Sequence, residues 1–172
     1  FQKKNITNLT TASDPLMMGA SIRNINMILM LNKNHRRKLS INFNSEEFEC
    51  PCCGYALVDT ELVIVLEKIR SILGIPVRIT SGYRCPSHNT KIGGADMSRH
   101  ILGAAADLTW PGIILNTRPD SIFRKTLGSV TVTWDSKLRG IGWGSSFIHV
   151  DTDVSRKQLT QWVYGNGHDR IN

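Results

Sequence analysis

Two histidines and one aspartate stand out because each lies in a segment that otherwise avoids charge. Asp107 sits in Ala104-Ala105-Ala106-Asp107-Leu108, a strand-like run with no other ionisable group. A buried carboxylate has to be paired or metal-bound, because an isolated charge is costly to remove from water. His100 lies seven residues upstream in Ser98-Arg99-His100-Ile101-Leu102-Gly103, and His149 lies in Phe147-Ile148-His149-Val150-Asp151. Alternation along a strand puts His149 and Asp151 on one face, with Ile148 and Val150 on the other. Two imidazoles and a carboxylate make the protein shell of a catalytic zinc ion, leaving a fourth position for water. On spacing alone, the same residues also fit hydrogen-bonded core histidines and an ion pair between Asp107 and Arg84 or Arg99.

The elements that must carry these residues are legible from residue 43 onward. Asp59 is placed to cap a helix through Leu62, Val63, Leu66, Ile69 and Leu73, closed by Gly74 and then Pro76. Pro76 to Thr80 reads as a buried strand, and Ser81-Gly82 turns the chain. Residues 87–92 make a short helical turn before Gly93-Gly94. Ala105 to Trp110 reads as a second strand, and residues 119–127 read as a helix. Val130 to Trp134, Gly140 to Trp143 and Phe147 to Asp151 read as further short strands, the last two expected to pair as a hairpin. The pattern is α+β, a small and mainly antiparallel sheet with flanking helices. Ahead of it, Met17, Ile22, Ile25, Ile28 and Leu29 predict one amphipathic helix.

In order along the chain come Ser81-Gly82-Tyr83-Arg84, Asn89, Gly93-Gly94-Ala95, Ser98-x-His100-x-x-Gly103-x-Ala105-x-Asp107, and Gly140-x-Gly142 followed by Phe147-x-His149-x-Asp151. This series resembles the zinc D-Ala-D-Ala carboxypeptidase and murein endopeptidase family. That family shares its metal core with lysostaphin-type enzymes and the hedgehog signalling domain. The resemblance covers about residues 43–163 and implies that His100, Asp107 and His149 bind zinc. It implies further that Arg84 holds a carboxylate or carbonyl oxygen of the substrate, a task its two-pronged guanidinium suits. Ser98 is expected near the metal, supporting the loop or the substrate. The substrates implied are stem peptides or cross-links of bacterial peptidoglycan, placing the protein outside the cytoplasm as a secreted, periplasmic or phage virion-associated enzyme.

The chain departs from the family at one position. Many members carry Glu or Asp three residues before the last zinc histidine as general base, and here that residue is Ser146. One branch lacks the acid and instead carries Gly-x-Gly-Tyr with Phe-x-His-x-Asp, which this chain matches closely. Asp151 is then the nearest carboxylate on the right strand face. Two roles stay open for it: general base, or a carboxylate that orients a ligand imidazole. Asp96 and His88 are more remote candidates for substrate contact. Some family members carry cysteine blocks like Cys50-Pro51-Cys52-Cys53-Gly54 and Tyr83-Arg84-Cys85, which implies that Cys85 faces the cluster. A disulfide from Cys85 to Cys50 or Cys53, a small structural metal site and free thiols all remain open.

Composition narrows the partners. The 172 residues are 41% hydrophobic and 20% charged, enough for a buried core, and no run of eighteen apolar residues exists to span a membrane. The net charge is +7, but residues 1–40 hold seven basic residues against one acid. The remainder carries fourteen basic and thirteen acidic groups, so no specific nucleic-acid surface is expected on the body. Residues 1–42 are expected to be a basic extension, a linker or a docking segment for phage virion or tail proteins, and residues 43–172 the zinc peptidase-like domain. The chain opens on Phe1, the expectation being a processed or truncated product. Two rival readings go with the peptidase: a non-catalytic zinc-binding module and a virion structural protein.

Overall fold

The computed structural model describes residues 27–110, 137–144, 146–165 and 170–171. The helix α1 (Thr60–Leu73) begins where the Asp59 carboxylate accepts the Glu61 N–H at 3.0 Å. It ends at Gly74, whose φ of 64° is a left-handed conformation that glycine adopts without strain. Its buried face is Leu62, Val63, Val65, Leu66 and Ile69. Those residues share one core with Phe43, Phe48, Ile79, Ala106, Leu108, Ile141, Ile148 and Val150. Each large aliphatic side chain buried there adds about 1.5–3 kcal/mol relative to exposure.

Strands β1 (Ile28–Asn32) and β2 (Tyr55–Asp59) form an antiparallel pair, with Ile28 opposite Asp59 and Asn32 opposite Tyr55. The expected amphipathic helix therefore does not include Ile28 and Leu29, and its earlier part lies outside the described residues. A short apolar run has no period of its own, and here the free edge of β2 makes it a strand. Residues 37–45 are also bonded to the body. Ser45 N–H donates to the Arg37 carbonyl at 2.9 Å, and Asn42 donates through its backbone and side chain to Glu67 at 2.8 and 2.6 Å. The expected boundary at residue 42 thus does not separate residues 28–42 from the domain.

The main sheet has six strands: β3 (Arg78–Ser81), β4 (Ala105–Thr109), β5 (Gly140–Trp143), β6 (Ile148–Asp151), β7 (Thr160–Val163) and β8 (Arg170–Ile171). Their spatial order is β3-β4-β6-β5-β7-β8, antiparallel except for the parallel β5–β7 pair. This is the expected mainly antiparallel α+β sheet, including the β5–β6 hairpin. The short helix α2 (Pro86–Lys91) follows β3. The expected helix at 119–127 and strand at 130–134 lie outside the described residues. Among the described residues, no helix is long and apolar enough to cross a membrane.

Register sets up the chemistry. Ser81 pairs with Asp107, Asp107 with His149, His149 with Gly142, and Gly142 with Trp162. These residues form one row across five strands and share one face, because directly opposed residues point the same way. Ala106, Leu108, Ile148 and Val150 point the other way into the core beside α1.

Candidate active site

His100 reaches the row from the loop between α2 and β4. Its backbone carbonyl accepts from Arg84 N–H and Gly103 N–H, each at 3.2 Å, and Gly103 has a φ of 70°. A Cβ at Gly103 would lie 2.5 Å from the Leu57 carbonyl oxygen, so only glycine lets this loop close against β2. His100 is 2% exposed, Asp107 6% and His149 4%.

The inner atoms of the three residues nearly coincide in space. His100 Nε2 lies 3.2 Å from Asp107 Oδ1 and 3.1 Å from His149 Nδ1, and His149 Nδ1 lies 3.0 Å from Asp107 Oδ1. The outer nitrogens have partners of their own. His100 Nδ1 is 2.7 Å from the Gly82 carbonyl, and His149 Nε2 is 3.4 Å from Asp151 Oδ2. Both partners are acceptors, so with a cation on the inner side each outer nitrogen would keep its proton and each inner nitrogen would present its lone pair. Two imidazole nitrogens and a carboxylate oxygen converge on one point. The spacing suits a small divalent cation with bonds of about 2.0–2.1 Å to nitrogen and oxygen.

The electrostatics follow from burial and these contacts. Burial would raise the Asp107 carboxyl, but the hydrogen bonds and charges of the two imidazoles overcome it and hold Asp107 far below the ordinary carboxylate range. Burial, aided by the charges of His149 and Arg84, pushes His100 down despite its Asp107 contact. Burial acts the same way on His149, yet its bonds to Asp107 and Asp151 win and raise it.

Arg84 is at the site, with part of its fork already in use. Its Nε donates to Ser81 Oγ at 2.8 Å and its Nη2 donates to Asp107 Oδ2. The ion pair open as an alternative on spacing alone is therefore present. Ser98 supports the His100 loop through its backbone: its N–H donates to the Ala95 carbonyl at 2.9 Å, and its carbonyl accepts from Ile101. Among the described residues, its hydroxyl makes no hydrogen bond to the three converging groups. Ser146 is exposed in the turn between β5 and β6, while Asp96 is exposed in the loop after α2. Neither belongs to the cluster, and His88, within α2, contacts Cys85 instead.

Asp151 stands behind the His149 ring, on the side away from His100 and Asp107. It is fully buried; its Oδ2 also accepts from Arg156 Nη1 at 2.5 Å, and its Oδ1 accepts from Asp153 N–H at 3.2 Å. Burial would raise its carboxyl, but His149 and Arg156 keep it lowered. Of its two open roles, this geometry favours holding the imidazole; the expectation that Asp151 is the base meets a ring standing in the way.

An aromatic wall closes one side, and nothing in the sequence reading pointed to it. His149 packs 5.4 Å from Trp162 and 6.4 Å from Tyr164, between ring centroids, and Arg156 lies 5.2 Å over the Trp162 ring. The signal available was the Gly140-x-Gly142 pattern. A Cβ at Gly142 would lie 2.5 Å from the Tyr164 ring and 2.7 Å from Trp162, and one at Gly140 would lie 2.1 Å from Asp151 Oδ2. The two glycines clear room for the aromatic pair and for the Asp151–Arg156 ion pair.

Strands β4 and β6 and the loops beside them bring two imidazoles, a carboxylate and an arginine together at one face of the sheet. The family model described as Peptidase M15 matches residues 40–151, well over half of the sequence. The chain belongs to the Peptidase M15 family and is of the peptidase class. None of the curated proteins matches the chain.

Proposed function

We propose that this protein is a zinc-dependent peptidase that hydrolyses peptide bonds in the stem peptides or cross-links of bacterial peptidoglycan, outside the cytoplasm. The observation that carries the reading is the convergence of His100 Nε2, His149 Nδ1 and Asp107 Oδ1 within 3.0–3.2 Å of one another, with each outer imidazole nitrogen facing an acceptor. These three residues would hold the zinc. When bound, zinc supplies a polarised carbonyl and an acidified water.

The remaining work falls to the chain's own groups. The N–H groups of Arg84 that do not hold Ser81 and Asp107 bind a carboxylate or carbonyl oxygen of the substrate. Asp151 is a positioning residue: it keeps the proton on His149 Nε2 and so keeps the Nδ1 lone pair directed inward. Trp162 and Tyr164 wall one side of the cluster, where they exclude water and seat the peptide. The test is release of muropeptides from purified sacculi. The parent protein with zinc should release them, and His149→Ala and chelator-treated protein should not.

A second reading, a non-catalytic metal-binding module, is favoured by Ser146 where many relatives carry an acid and by the enclosure of Asp151. Full zinc content without muropeptide release would establish that reading instead.

A further inference from the structure

We propose that Cys50, Cys53 and Cys85, closed by Cys52, form a second metal site: a structural thiolate centre for a thiophilic divalent cation such as zinc. The proposal is independent of the peptidase reading, since none of these residues touches the histidine-aspartate cluster.

The sulfurs of Cys50, Cys53 and Cys85 all lie within 4.8 Å of one another, although Cys85 is thirty-five residues from Cys50. A tetrahedral zinc with bonds of about 2.3 Å to sulfur separates its ligands by roughly 3.8 Å, so the three sulfurs stand near the spacing such an ion requires. Cys52, two residues from Cys50, lies in the same turn. Cys52 is exposed and would complete the tetrahedron by turning inward.

The backbone is shaped around thiolates. Cys50 N–H donates to the Tyr55 carbonyl and Gly54 N–H to the Cys50 carbonyl, each at 2.8 Å, closing a tight turn with Gly54 at a φ of 70°. Burial would raise the Cys50 thiol, but backbone hydrogen bonds from Cys85, at 3.4 Å, and from Cys52 and Cys53 lower it. His88 N–H donates to the Cys85 sulfur at 3.4 Å. Several donors on one sulfur stabilise negative charge there, which suits a metal thiolate far better than the nearly neutral sulfur of a disulfide. On binding, the thiols release their protons to solvent and become the ligands.

The location gives the site a task. Cys85 follows Arg84 directly, and just upstream Tyr83 N–H donates to the Phe48 carbonyl at 2.9 Å. A Cβ on Gly82 would lie 2.4 Å from Phe48 Cα, so the strand end is pressed against the turn that precedes Cys50. A cation joining residues 50–53 to Cys85 would lock the backbone of Arg84 from its other side.

Cobalt substitution of the full chain, purified under reducing conditions, tests this. The expected result is intense thiolate-to-cobalt charge-transfer absorption in the near ultraviolet. It should persist in His100→Ala, whose remaining cobalt sits on sulfur, and disappear in Cys53→Ser. Zinc analysis of the parent should give about two ions per chain, one for each ligand set. If Cys53→Ser fails to fold, the parent and His100→Ala spectra decide alone. Cobalt-saturated parent protein without a charge-transfer band overturns the proposal.

Discussion

Replacing Asp151 by Asn separates the two roles that a carboxylate beside a metal histidine can have. The side chain is fully buried; Oδ1 accepts from Asp153 N–H, and Oδ2 takes the Arg156 and His149 protons. Asn preserves the shape and the first contact, but it puts an NH2 group against two donors. The His149 ring then loses the acceptor that fixes its tautomer, and zinc affinity should fall about 10–100-fold. That is about 1.4–2.7 kcal/mol of binding free energy. Removing one partner of a buried ion pair costs about 3–5 kcal/mol of stability, and the loss should sit toward the lower figure because Arg156 can turn to water. Arg156 retains 26% side-chain exposure in the folded protein. The assays are chelator competition for zinc affinity and muropeptide release at saturating zinc. Turnover at saturating zinc should stay near that of the parent. A loss of about two to four orders of magnitude there, the usual worth of a proton-transfer group, would refute the positioning role and make Asp151 the base.

Arg84→Lys should retain zinc yet lower turnover about 10–100-fold, because one ammonium cannot serve Ser81, Asp107 and a substrate oxygen together; parent-level turnover would contradict this. Gly142→Ala should displace the Trp162–Tyr164 wall, cost about 1–3 kcal/mol in denaturant melts and raise KM while zinc content holds. Leu66→Ala, in the middle of the buried face of α1, should cost about 2–5 kcal/mol without altering metal content, read from denaturant midpoints. Asp151 and Asp153 have lowered carboxyls: burial opposes this in both, but His149 and Arg156 act on the first, and Ser155 and Arg99 on the second. The folded state thus binds fewer protons than the unfolded one, so their stabilisation is full above the unfolded value of about 3.9 and is lost as pH falls below it. Stability should hold from about pH 6 to about pH 5 and decline from there as the pH falls toward about 3, and a flat profile would refute the assignment.

Local pattern was sufficient wherever a residue's role depends on its near neighbours. Asp59 and Gly74 mark the ends of α1 because capping is a contact between residues two to four apart, and the strand alternation of Phe147 to Asp151 sorts His149 from Ile148 within five residues. The oddity of Asp107 was visible because its immediate neighbours are all apolar. Contacts across the chain were another matter. Whether Ile28–Asn32 became helix or strand depended on an edge twenty-seven positions away, which no window around Ile28 contains. Spacing put Asp151 on the face of His149, but both sides of an imidazole satisfy that condition. The Arg156 guanidinium and the strand register then placed it behind the ring. Trp162 and Tyr164 entered the site through the parallel pairing of β7 with β5, which leaves only the two glycines as its trace in sequence. Arg84 could be read as a free anchor until the fold brought Asp107 to its Nη2, a contact between residues twenty-three apart. Periodicity is a property of consecutive residues, whereas the partners of a buried charge are set by where separate strands and loops meet.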